Sequence, residues 1–317
     1  MLVIAGCGGS HHRGSSPSVA AVTSTSAASV TASVPRRPPR ARRLIAVLSA
    51  AHHPGVFGWR PAVAVRGQTA VWISRVNALH KPGYTVTLVR LNQGLVTLAL
   101  HAGGLEPGGR GWRYGDAIRG AERRILVAAF NSGFREHYGA GGFAAYGRVG
   151  WRLRRGAASL VIYRDGTTDI GRWREGVPAP GHPVAAVRQN LALLINGGHI
   201  APTVDNCIKR CWGDPLHEQP VVARSGLGIT SRGDLIWAAG YALSVRALAT
   251  ALAAQGVVRA MELDINPRWV AGYVYAHPRH ARVPVAVPLM SGQTGIPGQF
   301  LTPYFRDFLS VITRPGS

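Results

Sequence analysis

The chain has 317 residues, 46% of them hydrophobic, which is enough for one large domain or two small ones with a buried core. No stretch approaches the roughly 18–20 consecutive apolar residues of a membrane-spanning helix, which excludes an ordinary integral membrane protein. Because 36 Lys and Arg face only 14 Asp and Glu, the net charge of +22 favours a partner rich in phosphate.

Such a partner could be nucleic acid, an anionic lipid surface or a phosphorylated glycan. The alternative is a compositional bias towards Arg that is spread over the surface. The basic residues are dispersed, with no long Lys/Arg block and no recognisable nucleic-acid motif. We therefore expect no nucleic-acid partner, and we expect the charge to serve an anionic surface or glycan.

The first seven residues resemble the end of a bacterial lipoprotein signal. Ile4-Ala5-Gly6-Cys7 matches the pattern of an aliphatic residue, a small residue, Gly and the lipidated Cys. No basic segment precedes it, and the apolar part is shorter than the roughly 7–15 residues of an export signal. A start codon assigned too far downstream would account for this, and a chance match is the alternative. The resemblance implies lipidation of Cys7 and a membrane-anchored or secreted protein of the cell envelope.

Residues 8–43 consist mainly of Ser, Thr, Ala, Pro and Arg, with almost no large apolar side chain. Such a segment cannot bury enough surface to offset the entropy of ordering, so we predict a disordered tether. Its Arg residues would favour an anionic membrane or wall surface. The globular domain is then predicted to cover residues 44–317.

Strands dominate the first half of this domain. Alternating β-branched residues predict strands within 62–73, and the turn Asn92-Gln93-Gly94 predicts a hairpin between the runs 85–89 and 95–99. A short buried strand is predicted at 125–130. Residues 135–156, rich in Gly and Arg, are predicted to form a long loop.

Further strands are predicted at 160–163 and 191–195, each followed by a turn signal. The pair Cys207 and Cys211 follows. In an exported protein this spacing favours a disulfide that closes a small loop. The rival is a metal site, but the spacing matches no standard zinc pattern. The further metal ligands would be His199, Asp205, Asp214 and His217.

The last third predicts a hairpin, a helix and a strand in succession. Residues 226–239 have the pattern of a hairpin. Ser244 can cap a helix that Gly256 would end, and this helix leads into a strand at 257–265. Many strands with few helices indicate an α+β fold, with mixed, mainly antiparallel β-sheets and a few flanking helices.

Two of the scarce acids lie at the end of that last strand. With a period of two, Glu262, Asp264 and Asn266 would share one face. Carboxylates and an amide in a row at the end of a rigid strand are typical of a catalytic site. The alternative is a pair of solvated acids followed by a turn at Asn266-Pro267.

Three motifs occur in a characteristic order. They are Asn131-Ser132-Gly133-Phe134, then Arg224-Ser225 at a strand start, then Leu263-Asp264 after a helix. Together they resemble the phosphodiester glycosidase domain family, the relatives of the mannose 6-phosphate uncovering enzyme. That family has Asn-Gly-Gly-Phe, Arg-Thr-x-x-Gly and Leu-Asp-Gly-Gly at these places. The resemblance covers roughly residues 84–317.

The chain departs from the family at three places. Ser132 replaces the first Gly of the turn, Ser225 replaces Thr, and Ile265-Asn266-Pro267 replaces Gly-Gly after Asp264. Glycines there would let the backbone approach a ligand closely, whereas Ile and Pro would not. Either the substrate lies differently in this subgroup, or the activity has changed or been lost.

The resemblance implies an enzyme that hydrolyses the glycosidic bond of a sugar-1-phosphodiester in an extracytoplasmic glycan. This chemistry needs carboxylates at the anomeric carbon and donors for the phosphate. Asp264 and Glu262 are the candidate carboxylates, and Arg224 is the candidate phosphate ligand, with an ordinary salt bridge as its alternative. No cofactor or metal is implied. The alternative function is a non-catalytic module that binds phosphorylated glycopolymer on the cell surface.

Further substrate-binding candidates are polar residues or glycines near the motifs. For Asn131 the alternative is a turn-shaping role, and for the 188–190 segment it is a solvated strand start. These candidates are Asn131, Gly133, Arg188, Asn190 and Asn266.

Overall fold

The computed structural model describes residues 58–77, 85–214 and 219–315. The predicted lipidation site at Cys7, the predicted tether at 8–43 and the predicted domain start at 44 lie outside these residues. In the described part of the chain, no helix has the length and apolar character needed to cross a membrane.

Eighteen strands are formed by the described residues. In chain order they are β1 (Arg60–Val65), β2 (Gln68–Asn77), β3 (Thr85–Leu91), β4 (Val96–His101), β5 (Leu126–Asn131), β6 (Phe143–Ala145), β7 (Arg148–Trp151), β8 (Ala158–Tyr163), β9 (Thr168–Arg172), β10 (Val184–Gln189), β11 (Leu193–Asn196), β12 (His199–Ile200), β13 (Val222–Thr230), β14 (Leu235–Leu243), β15 (Val257–Glu262), β16 (Gly272–Ala276), β17 (Val285–Pro288) and β18 (Phe308–Thr313).

Within the described ranges, helices are few and short. The α-helices there are α1 (Gly120–Ile125), α2 (Ile208–Trp212) and α3 (Val245–Ala253). The same residues form three 3-10 turns, at Glu136–Tyr138, Pro202–Val204 and Gln299–Leu301.

The strands form three antiparallel sheets. The largest has the order β1-β2-β3-β14-β13-β15-β11-β12, and the two five-stranded sheets have the orders β7-β6-β10-β8-β9 and β17-β16-β5-β18-β4. One large cluster of buried side chains draws on all three sheets, with members such as Leu227, Phe143 and Phe130. The predicted α+β class, mainly antiparallel, is confirmed.

The predicted hairpin across residues 92–94 is wrong, although its turn is present. Leu95 N and Val96 N both donate to Asn92 O at 3.0 Å. The two arms then part, because β3 pairs with β2 and β14, whereas β4 pairs with β18 in another sheet. A turn signal fixes the local reversal of the chain, but not the sheet that each arm joins.

The predicted long loop at 135–156 is also wrong. It contains a 3-10 turn and the strands β6 and β7, which belong to a five-stranded sheet. Some of its glycines serve close packing. A Cβ on Gly142 would lie 2.5 Å from the carbonyl oxygen of Arg152, and one on Gly150 would lie 2.7 Å from Pro107. Others serve turns between the strands, such as Gly147, which has a φ of +85° and nothing within 4 Å of its Cβ position.

The predicted hairpin and helix of the last third are confirmed. β13 and β14 pair along their length, and Ser244 Oγ accepts a hydrogen bond from Ala247 N at 3.1 Å at the start of α3. The helix packs on β13, where a Cβ on Gly226 would lie 3.3 Å from Leu248. The strand that follows ends at Glu262, three residues earlier than predicted.

The sulfurs of Cys207 and Cys211 are joined in a disulfide across α2, with their Cα atoms 5.4 Å apart. Among residues 58–77, 85–214 and 219–315, no group of three or more His, Cys, Asp and Glu is arranged to hold a metal ion. Of the rival metal ligands, His217 lies outside the described residues.

Candidate active site

The end of β15 is irregular, and this decides where the two acids point. Glu262 lies opposite Gly226 in the regular ladder. Beyond it, Leu263 N donates to Ser225 O at 2.8 Å while Ser225 N donates to Asp264 O at 2.9 Å. Two residues thus face one, which is the arrangement of a β-bulge, and a bulge interrupts the alternation of side chains. The regular alternation on which the expected shared face of Glu262, Asp264 and Asn266 depends is therefore interrupted after Glu262, and each of the two acids has its own Arg partner.

Ser225 and Asn131 hold this bulge in place. Ser225 Oγ accepts hydrogen bonds from Asp264 N at 3.1 Å and from Asn131 Nδ2 at 2.9 Å. Asn131 Nδ2 also donates to Ser132 O at 2.9 Å. The Asn131 motif and the Asp264 motif thus meet at the hydroxyl group of Ser225, which belongs to the Arg224-Ser225 motif.

Glu262 forms an enclosed ion pair with Arg224. Glu262 Oε1 lies 2.7 Å from Arg224 Nη1, and both side chains are 0% exposed. Arg224 Nε also donates to Leu243 O at 3.1 Å. Burial raises the pKa of Glu262 to about 7, although the charge and hydrogen bond of Arg224 oppose this shift. Arg224 Nη2 and Glu262 Oε2 have no hydrogen-bond partner among the described residues.

Asp264 pairs with a different guanidinium, that of Arg306. Asp264 Oδ2 lies 3.1 Å from Arg306 Nη2, which also donates to Gly133 O at 2.8 Å. Asp264 Oδ1 accepts a hydrogen bond from Asn266 N at 2.9 Å. Burial raises the pKa of Asp264 to about 6, opposed first by the charge of Arg306. Asp264 is 4% exposed and Arg306 6% exposed, so this pair is nearly but not fully enclosed.

Strand pairing explains how Arg306 reaches this place. In the register of β18 with β5, Phe308 lies opposite Asn131. Because the strands are antiparallel, Arg306, two residues before Phe308, lies next to Gly133, two residues after Asn131. A residue 42 positions away from Asp264 becomes its charge partner through this sheet.

Alternating charges connect Asp264 to the surface. Arg306 Nε lies 3.3 Å from Glu106 Oε2, and Glu106 Oε1 accepts a hydrogen bond from Arg135 Nε. The side chain of Arg135 is 45% exposed. The order from solvent inwards is therefore Arg135, Glu106, Arg306 and Asp264.

Arg188 forms a third buried ion pair that supports the turn at 131–134. Arg188 Nε donates to Asp307 Oδ2 at 2.7 Å, and neither side chain is exposed. Arg188 Nη2 donates to Phe134 O at 2.5 Å, and its guanidinium lies 4.9 Å from the centre of the Trp151 ring. These partners make Arg188 a brace between the turn and the start of β18.

Asn190 links the same turn to the end of β15. Its Nδ2 donates to Glu262 O at 2.8 Å and to Leu263 O at 2.9 Å, while its Oδ1 accepts from Phe134 N at 3.0 Å. A Cβ on Gly133 would lie 3.0 Å from Asn190 Oδ1 and 3.2 Å from Arg188 Cζ. Gly133 therefore allows the turn to pack directly on these side chains.

An aromatic group borders the Asp264–Arg306 pair. The Arg306 guanidinium lies 5.2 Å from the centre of the Trp269 ring, and Phe305 meets that ring edge-on at 5.7 Å. Asn266 is exposed on the turn after Asp264, where its Oδ1 accepts from Arg268 N at 2.9 Å. The predicted site residue Asn266 thus lies at the solvent side of the site.

Buried polar atoms without a hydrogen-bond partner concentrate at this site. Among the described residues there are eleven such side-chain atoms, and six belong to the site. Four of the six belong to the ion pairs Arg224–Glu262 and Glu106–Arg306, so these atoms lie beside an opposite charge although they form no hydrogen bond. The six belong to Glu106, Ser132, Arg224, Glu262, Tyr304 and Arg306.

The structure brings most of the predicted residues together, with Asn266 at the rim. Sequence reasoning missed Glu106, Arg135, Arg306 and Asp307. A usable signal was present in two of them. Arg306 and Asp307 are adjacent charged residues in the aromatic stretch from Tyr304 to Phe308, and acids are rare in this chain.

No family model matches the chain, and no curated protein matches it. Among solved structures, it is similar to the catalytic domain of zebrafish N-acetylglucosamine-1-phosphodiester alpha-N-acetylglucosaminidase, auto-inhibited by its pro-peptide. The identity is 15% and the TM-score 0.47, over 86% of this chain and 88% of that one. A hypothetical protein from Synechocystis is similar with 12% identity and a TM-score of 0.40, over 82% and 64% of the two chains. At these TM-scores we draw no functional conclusion from either likeness.

Proposed function

We propose that this chain hydrolyses the glycosidic bond of a sugar-1-phosphodiester in an extracytoplasmic glycan, releasing a free sugar and a phosphate monoester. One observation supports this most directly. Asp264 is a buried carboxylate with a raised pKa, paired with Arg306 at the inner end of the charges that lead to the surface. Acids with perturbed pKa values next to a guanidinium are typical of catalytic sites.

In the proposed reaction, the bond between the anomeric carbon and the phosphate oxygen breaks. Positive charge develops on the sugar, and the ionised Asp264 stabilises it. The bond electrons leave with the phosphate, whose negative charge is held by Arg306. Water supplies the hydroxyl group of the free sugar, and its proton is shared between product phosphate and solvent.

The enclosed pair has a different proposed role. Because Arg224 and Glu262 are 0% exposed and contact each other, neither reaches a substrate in this arrangement. We expect them to position Asp264 by fixing the strand end below the bulge. The phosphate ligand would then be Arg306 rather than Arg224.

A binding module without turnover is the second candidate. It is favoured by the turn after Asp264, where Ile265-Asn266-Pro267 stands in place of the flexible Gly-Gly of the related family. Such a module would hold phosphorylated glycopolymer through its guanidinium groups. In either case the sequence at Cys7 and the basic segment at 8–43 support a proposed location at the cell envelope.

The test is turnover of the methyl phosphodiesters of glucose 1-phosphate and N-acetylglucosamine 1-phosphate by the full chain, followed as release of free sugar. The natural chain should release sugar, and Asp264→Asn should lower kcat by about 10³-fold. Asp205→Asn is the control, since Asp205 forms an exposed ion pair with Arg246 outside the site and should leave kcat unchanged. Full activity in Asp264→Asn would refute the mechanism. Binding of both phosphodiesters without turnover would favour the binding module.

A further inference from the structure

Glu106 is held between two guanidinium groups beside the candidate site. Its Oε1 accepts a hydrogen bond from Arg135, and its Oε2 lies 3.3 Å from Arg306 Nε. That second contact is not a hydrogen bond, since neither Glu106 Oε2 nor Arg306 Nε has such a partner among the described residues. The Glu106 carboxylate therefore forms a hydrogen bond with Arg135 but only an ion pair with Arg306.

We propose that Arg135 and Arg306 form the binding site for the phosphoryl group, and that Glu106 occupies it until an anion arrives. A phosphodiester shares one negative charge between two oxygens, as a carboxylate does, and guanidinium groups bind both kinds of anion with two parallel hydrogen bonds. Two guanidiniums that converge on one carboxylate can converge on a phosphate in the same way. The proposal rests on the proposed function for the identity of the substrate, but anion binding can be measured without turnover.

The location fits a leaving group. Arg306 Nη2 contacts Asp264, whereas Arg306 Nε faces Glu106. A phosphoryl group in the place of the Glu106 carboxylate would share one guanidinium with Asp264 without touching it. In a hydrolysis at the anomeric carbon, the phosphate and the carboxylate must lie close together but on different sides of that carbon.

The site can be reached from solvent, and Glu106 can move out of it. Arg135 is exposed and lies directly before the 3-10 turn that follows the first motif. The backbone of Glu106 is anchored, because its N–H donates to Phe305 O at 3.0 Å. Displacement then needs only a rotation of the Glu106 side chain away from Arg306. The positive charge of the chain would raise the local concentration of anions.

The chain contains a matched control on its surface. Glu175 also lies between two guanidiniums, with Oε1 3.2 Å from Arg155 and Oε2 4.0 Å from Arg172. It is exposed and has no contact with Asp264. A general effect of removing one acid from a basic protein would appear equally in Glu106→Gln and Glu175→Gln.

The experiment is a calorimetric titration of the full chain with inorganic phosphate. Glu106→Gln should lower the Kd about tenfold, since the competing charge is gone, and Arg135→Ala should raise it about tenfold, the worth of one charge-assisted hydrogen bond. Glu175→Gln should leave the Kd unchanged. The melting temperature of each variant checks its folding. Because Arg135 is exposed, Arg135→Ala should fold, so it still tests the proposal if Glu106→Gln does not fold.

Equal Kd values in the natural chain, Glu106→Gln and Arg135→Ala would overturn the proposal, as would an equal gain in Glu175→Gln. Phosphate binding with the expected changes but without turnover of any sugar phosphodiester would leave this site standing and refute the hydrolase. Turnover with a KM that Arg135→Ala does not change would refute this site and leave the hydrolase standing.

Discussion

Two Arg–carboxylate pairs lie two residues apart at the end of β15, and they differ in what surrounds them. The Arg224–Glu262 pair is fully enclosed and contacts only the protein. The Arg306–Asp264 pair is nearly as buried but continues through Glu106 to an exposed guanidinium. The bulge at Leu263 and Asp264 separates them. The comparison shows how one extra residue in a strand divides two similar acids between a structural and a candidate catalytic role.

The largest expected effect comes from breaking the enclosed pair. Arg224→Met leaves Glu262 buried without its partner charge, which should lower the free energy of unfolding by about 3–5 kcal/mol in urea denaturation. Arg224→Met combined with Glu262→Met should recover most of this loss. A single variant as stable as the natural chain would show that the pair is not structural.

A conservative change at the second pair should affect turnover instead. Arg306→Lys keeps the charge but loses the planar set of donors, so kcat/KM for the methyl phosphodiester of glucose 1-phosphate should fall about 100-fold, or about 2.7 kcal/mol in the activation free energy. Arg224→Lys is the comparison, because it should lower the melting temperature far more than Arg306→Lys does. If Arg306→Lys lost stability but kept kcat/KM, the Arg306–Asp264 pair would be structural, and the proposed catalytic role of this pair would be wrong.

The pH dependence of stability should show the burial of Glu262. Burial raises its pKa to about 7, so between about pH 4.5 and pH 7 the folded chain keeps a proton that the unfolded chain has lost. Its contribution to stability is therefore present at low pH and is lost as the pH rises through about 7, on the order of 3 kcal/mol.

Urea denaturation at pH 5 and pH 8 measures this effect, with Glu262→Gln as the comparison. The variant cannot ionise at this position, so its stability should depend less on pH than that of the natural chain. The raised pKa of Asp264, about 6, adds a further loss in the same direction in both chains. An unchanged slope in Glu262→Gln would mean that Glu262 stays ionised throughout this range.

The smallest expected effect concerns the bulge that separates the pairs. Ser225→Ala removes the hydroxyl group that accepts from Asp264 N and Asn131 Nδ2, at a cost of about 1–2 kcal/mol in unfolding. It should also lower kcat, because Asp264 loses its anchor. Ser244→Ala, which removes the cap of α3, should cost about 1 kcal/mol and leave kcat unchanged. Equal kcat values in Ser225→Ala and Ser244→Ala would show that the bulge does not contribute to turnover.

Local patterns predicted much of the last third of the domain. The β13–β14 hairpin, the Ser244 cap and α3 follow from turn residues, a capping side chain and helical periodicity, all of which act over a few residues. The same reasoning failed at the turn after Asn92. There the two arms join different sheets, and the energy that decides this comes from strands far away in sequence.

For the candidate site, the sequence by itself predicted that Asn131, Arg224 and Asp264 belong together, since their motifs resemble in order those of the phosphodiester glycosidase family. Only the tertiary structure decided which guanidinium faces each acid. The chain offers 36 Lys and Arg, and the local sequence around Arg306 marks it only as a neighbour of the rare acid Asp307, not as the partner of Asp264. Its position follows from the register of β18 on β5, and the direction of Asp264 follows from a bulge. Both depend on long-range strand pairing, which local propensity does not encode.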